Sequence, residues 1–105
     1  MAKIPDKIVS NIKSLVQIAA NNNIGIKKAV IFGSYASGSA GEYSDIDIAL
    51  VSDDFSGIRL DDNLKLMNIV LAVDHRIETH PFRPEDFTPE NLFVKEILDK
   101  GVSII

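Results

Sequence analysis

Two aspartates separated by one residue stand where an apolar run begins, in Asp45-Ile46-Asp47-Ile48-Ala49-Leu50-Val51. Read as a strand from Asp45 to Ser52, alternation puts both acids on one face with Ala49 and Val51, and Ile46, Ile48 and Leu50 on the other. Two positions along a strand span about 6.5–7 Å, so both carboxylates can hold one divalent cation or bridge two ions about 3.5–4 Å apart. Without a cation the paired charges repel. A second stretch, Arg76-Ile77-Glu78-Thr79-His80, alternates in the same way and sets Glu78 on a face with Arg76 and His80. If that is the face of the aspartates, three carboxylates converge. Upstream, Gly33-Ser34 closes the apolar run Ala29 to Phe32 and opens a small, Gly-rich link that ends at Ser44. A Gly-Ser turn alone is weak, and Gly33 to Gly38 is not a P-loop, because Ser39-Ala40 stand where Lys and Ser/Thr are required.

These residues need a scaffold. After Pro5, Ile8, Ile12, Leu15 and Ala19 follow helical spacing, and Asn21 to Asn23 with Gly25 end that helix. Lys28 to Phe32 reads as a short buried strand. The dozen residues from Gly33 to Ser44 are at the lower limit for a parallel crossover, so the flanking strands are expected to run antiparallel, bringing Gly33-Ser34 and the aspartates to one end of the sheet. Leu60, Leu64, Met67 and Leu71 mark the core stripe of a second long helix, with Asp61 and Asp62 in its first turn, where the helix dipole favours acids. That connection returns a third strand, Arg76 to His80, parallel to the second. Pro81 and Pro84 are expected to close it. Thr88-Pro89-Glu90 opens a last helix with Phe93, Val94, Ile97 and Leu98 inward; Gly101 ends it, and Val102 to Ile105 forms a short edge strand. The expected class is α/β (α+β), a small mixed sheet packed with helices.

A chain of 105 residues supports one domain, 1–105, with a single core. Its net charge is −4 and its eleven basic residues are scattered, which leaves no strong nucleic-acid footprint. With no cysteine there is no disulfide or thiolate site. The opening Met-Ala-Lys-Ile-Pro-Asp lacks a signal peptide's apolar core and no apolar run reaches membrane-spanning length, so a cytoplasmic location is expected.

Gly33-Ser34-Tyr35-Ala36-Ser37-Gly38 followed by Ser44-Asp45-Ile46-Asp47-Ile48-Ala49-Leu50-Val51 resembles the signature of the DNA polymerase β-like nucleotidyltransferase superfamily, and more closely its minimal nucleotidyltransferase (MNT) members. The resemblance covers most of the chain, because helix, strand, Gly-Ser turn, Asp-x-Asp strand, helix and acid-bearing strand come in that family's order. It implies transfer of a nucleoside monophosphate, usually AMP from ATP, to a hydroxyl, with two Mg2+ ions and release of pyrophosphate. By resemblance Asp45 and Asp47 ligate both ions, and Glu78 holds the ion that activates the acceptor or serves as its base. Gly33, Ser34 and Ser44 would lie against the nucleotide. Minimal members are often paired with a helical HEPN protein as antitoxin to toxin, either modifying it or covering it. Relatives commonly carry Arg where this chain has Ser37, which removes one phosphate contact.

Blander readings stand beside these. Glu78 can pair with Arg76 on an exposed strand, and Asp74 is a weaker choice for the third acid. His75 and His80 read as surface or loop residues, Tyr35 and Tyr43 as packing around the turn, and Asp53-Asp54 and Asp61-Asp62 as loop and helix-start charges. A catalytically weak module that masks a partner is the alternative to an enzyme. Val102 to Ile105 could pair with another copy of the chain, making a homo-oligomer.

Overall fold

The computed structural model describes residues 4–41 and 43–105. Met1 to Lys3, part of the N-terminal segment read above, and Glu42 in the Gly-rich link lie outside the described residues. The elements run α1 (Asp6–Asn21), β1 (Lys28–Phe32), α2 (Ser34–Ser37), β2 (Ile46–Val51), α3 (Arg59–Val73), β3 (Ile77–Phe82), a 3-10 turn (Pro84–Asp86), α4 (Leu92–Lys100) and β4 (Val102–Ser103). The four strands make one mixed sheet in the order β3-β2-β1-β4. β1 pairs antiparallel with β2, Phe32 opposite Asp47, and β2 pairs parallel with β3, Asp47 opposite Glu78. The short link therefore acts as anticipated.

Alternation on the strands divides the core into two layers. Ala29, Ile31, Ile46, Ile48, Leu50 and Ile77 form one face, packed against α1 through Ile8, Ile12, Leu15 and Ala19 and against α3 through Leu66, Ile69 and Val70. Val30, Ala49 and Val51 form the other, under Val94 and Ile97 of α4 and Phe87. Two long helices cover the first face, but one short helix covers the second. Asp47 and Glu78 lie on this less covered side. No described helix is long and apolar enough to cross a membrane.

Five expectations are corrected. The stripe Leu60, Leu64, Met67 and Leu71 faces outward, each at least half exposed, while Asp62, Leu66, Ile69 and Val70 are buried. Two residues along a helix turn it by about 200°, so the two stripes lie on opposite sides. Asp62 occupies a core position because its carboxylate accepts hydrogen bonds from Ser56 N (2.8 Å), Ser56 Oγ (2.9 Å) and Gly57 N (3.0 Å), tying the preceding loop onto α3. It is more than a helix-start charge. Pro81 does not end β3 but lies inside it, opposite Leu50. The carbonyls of Arg76 and Phe82 bond to β2, so the odd-numbered residues between them turn their backbone groups to the free edge, where a proline forfeits nothing. The last helix starts at Leu92 rather than after Thr88, because the Asn91 side chain caps Phe93 N and Val94 N; Phe93 and Leu98 remain partly exposed. Tyr43 is 89% exposed, whereas Tyr35 does pack against the core.

Replacing Asp62 by Ala leaves two backbone N–H groups and a hydroxyl without their acceptor, so the expected loss is about 3 kcal/mol. Urea unfolding of wild type and Asp62→Ala measures it; a loss below about 1 kcal/mol would show that these hydrogen bonds do not hold the loop onto α3.

Candidate functional site

Gly33 ends β1 with φ +72°, a backbone conformation that L side chains rarely adopt. It also sits against Asp47: a Cβ at this position would stand 2.6 Å from Asp47 Oδ2. Glycine is thus required twice, for the turn and for the approach of backbone to carboxylate. The single-turn α2 follows, with Ser34 partly buried and its carbonyl accepting from Ser37 Oγ and Ser39 N. Ser44 Oγ accepts from Gly41 N at 2.8 Å, closing the turn just before the aspartates.

Across the parallel pair, Asp47 and Glu78 are register partners, side by side on neighbouring strands, and like charges directly opposite are destabilising. With His80 they form a group whose ligand atoms all lie within 4.8 Å of one another. Asp45 is exposed, one residue ahead of β2, and outside that group. The structure thus brings together Gly33, Asp47 and Glu78, and leaves Asp45 at the rim.

His80 was missed. It is buried, 8% exposed, beneath the rings of Phe32 (4.9 Å between centroids) and Phe93 (5.9 Å), with Nε2 3.3 Å from Asp47 Oδ1 and 3.9 Å from Glu78 Oε1. Its Nδ1 lies 2.9 Å from Arg59 Nη2. A guanidinium offers only donors, so Nδ1 must accept, the ring hydrogen resides on Nε2, and Nε2 donates to Asp47. The histidine thus orients a carboxylate and is not itself a free ligand. Its position two residues after Glu78 on the same strand face was the available signal.

The donor set fits a divalent cation. Asp47 and Glu78 supply hard oxygen ligands suited to Mg2+ or Mn2+, Asp45 is near enough along the chain to add another, and an ion between them would relieve their repulsion. Asp74, the weaker third-acid choice, is committed elsewhere. It accepts from Arg76 Nη2 (2.8 Å), Arg76 Nε (3.1 Å), Arg76 N (3.0 Å) and Asn11 Nδ2 (3.2 Å), and these bonds, chiefly from the Arg76 side chain, hold its pKa down to about 2. Arg76 in turn donates to the Tyr35 hydroxyl at 3.4 Å. The Arg76–Glu78 pairing considered above is therefore replaced by Arg76–Asp74.

Two clefts meet at Phe93. One, of about 600 Å³, is lined by Phe32, Gly33, Ala36, Ser37, Phe93 and Gly101. The other, of about 640 Å³, is more polar and includes Arg59, His80, Arg83, Glu90, Asn91 and Phe93. Both fall in the size range of small-molecule sites.

Comparison with known proteins adds the following. Residues 8–104 match the model of a family described as the nucleotidyltransferase domain. A candidate protein adenylyltransferase of Methanocaldococcus jannaschii is 37% identical over 70 residues, 65% of this chain and 46% of that protein, so the matched part is about half of the relative's length. A solved toxin–antitoxin structure with AMP-PNP superposes with a TM-score of 0.63 at 20% identity, over 92% of this chain and 72% of that one. A candidate nucleotidyltransferase from Sulfolobus solfataricus gives a TM-score of 0.55 at 23% identity, over 98% of this chain and 89% of that one. At these identities the two structures show a shared fold.

Gly33→Ala is expected to push the Asp47 carboxylate aside and to weaken Mn2+ binding, measured by calorimetry, at least about tenfold. Binding at wild-type strength would show that the close approach does not position the ligand. For Asp74, a folded pKa of about 2 against an ordinary 3.8 means its contribution is complete above about pH 4 and fades as pH falls toward 2. Asp74→Asn should therefore lower stability near neutrality by about 1–2 kcal/mol and flatten the acid limb of the urea midpoint against pH. An unchanged acid limb would detach that limb from Asp74.

Proposed function

Because this chain belongs to the nucleotidyltransferase domain family, we propose that it transfers a nucleoside monophosphate, AMP from ATP, to a hydroxyl on a partner molecule. The observation that supports this reading most is the meeting of Asp47 and Glu78 from separate strands beside the side-chain-free Gly33. In the reaction the acceptor oxygen forms a bond to the α-phosphorus. The bond from that phosphorus to the bridging oxygen breaks, and pyrophosphate leaves with the electron pair. Two Mg2+ ions, when bound, neutralise the phosphates and polarise the reacting oxygens.

The chain's own residues do the holding. Asp47 and Glu78, with Asp45 at the rim, are the ligand carboxylates, and His80 fixes the orientation of Asp47 through Nε2–H. Glu78, the more exposed of the clustered pair, either holds the ion that activates the acceptor or takes the acceptor's proton. Gly33, which lets the backbone approach Asp47, would with Ser34 and Ser44 contact the nucleotide. The apolar cleft bounded by Phe32 and Phe93 suits the base and sugar, and the polar cleft beyond His80 suits the acceptor.

A second reading has a specific observation in its favour: Ser37 supplies no cation next to the Gly-Ser turn, and Lys100 is the one basic side chain lining the cleft there among the described residues. Such a domain could act as an antitoxin by covering a HEPN-type toxin without modifying it. The likeness to a toxin–antitoxin structure suits either version.

Label from α-labelled but not γ-labelled ATP is expected to reach an acceptor in extracts of the native cell, with Asp47→Asn lowering transfer at least about a hundredfold. Transfer that survives Asp47→Asn and Glu78→Gln would refute the enzyme. Neutralisation of a toxin equally by wild type and Asp47→Asn would favour masking.

A further inference from the structure

Helix α3 is apolar on two opposite sides. Its inner side packs on the sheet and α1 through Leu66, Ile69 and Val70. Its outer side carries Leu60, Leu64, Met67 and Leu71, exposed by 69, 54, 50 and 63%, and Ile58 just before the helix is 58% exposed. Single exposed leucines are ordinary; a continuous line of them along a helix is an unpartnered face.

The spacing says what covers it. Steps of four, three and four residues are the a/d seam by which one helix packs on another. The series also reads the same in both directions. A two-fold-related copy running antiparallel therefore meets it layer for layer, Leu60 opposite Leu71 of the second copy and Leu64 opposite Met67, with no charge in the seam and with opposed helix dipoles. An unrelated helix would need no such symmetry. Together with Ile58, the exposed parts of these side chains on two copies amount to on the order of 1,000 Å², the lower limit for a specific interface. We propose that the outer stripe of α3 is a homodimer seam, formed by antiparallel packing of α3 on the α3 of a second copy. It is a second candidate self-association surface beside β4, the two-residue edge strand paired on one side with β1.

The test is sedimentation equilibrium of the full chain across micromolar concentrations, alongside Leu64→Glu and Met67→Glu. Wild type is expected to dimerise reversibly and both variants to be monomeric, with unchanged circular dichroism confirming that they fold. The natural sequence has no cysteine, so Leu64→Cys and Met67→Cys chains can be mixed under mild oxidation without background. Crosslinks between unlike chains should form faster than crosslinks between like chains. A wild-type monomer throughout, a dimer that survives both glutamates, or preferential crosslinking of like chains would each overturn the proposal. So would a wild-type monomer that binds a different protein through this stripe, which would give the seam another occupant.

Discussion

The approach of the Gly33 backbone to the Asp47 carboxylate is the constraint on which the rest of the site depends. It requires β1 and β2 to be antiparallel neighbours in a register that sets Phe32 opposite Asp47, and a turn whose first residue has positive φ. A shift of one residue would turn Asp47 into the core and Ile48 to solvent. That slip is opposed by Ile46, Ile48 and Leu50, all fully buried against α1 and α3. The core thus holds the chemistry in place from the opposite side of the sheet.

The same strand pair creates an electrostatic cost. Asp47 and Glu78 face one another across the parallel register, and the nearest compensation from the chain runs from Arg59 through His80 to Asp47. Arg59 opens α3, and His80 is wedged between aromatic rings from β1 and α4. Three elements that carry none of the clustered acids therefore converge on orienting one of them.

Much of this was legible beforehand. The limits of β1, the antiparallel link and the parallel return follow from period-two alternation and the length of one connection; the shared face of Asp47 and Glu78 follows only once the register is known, and β3 runs two residues past its expected end at His80. What escapes is wherever a polar group satisfies a partner outside its own helix or strand. Asp62 broke the apolar pattern of the true inner stripe of α3, which left the more leucine-rich outer stripe looking like the core. Nothing local reveals that its carboxylate is needed by Ser56 and Gly57. In the sequence His80 reads as peripheral because its partners, Arg59 and Asp47, lie 21 and 33 residues away. Pro81 reads as a terminator because its role depends on which edge of the strand is free.

That free edge has a consequence of its own. An open β-strand offers a ladder of donors and acceptors that any extended peptide can zip onto, the common first step toward fibrillar stacking. On β3 the outward-facing ladder loses a donor at Pro81, near its end. On the β3 side, the fold therefore hinders templated growth of the sheet.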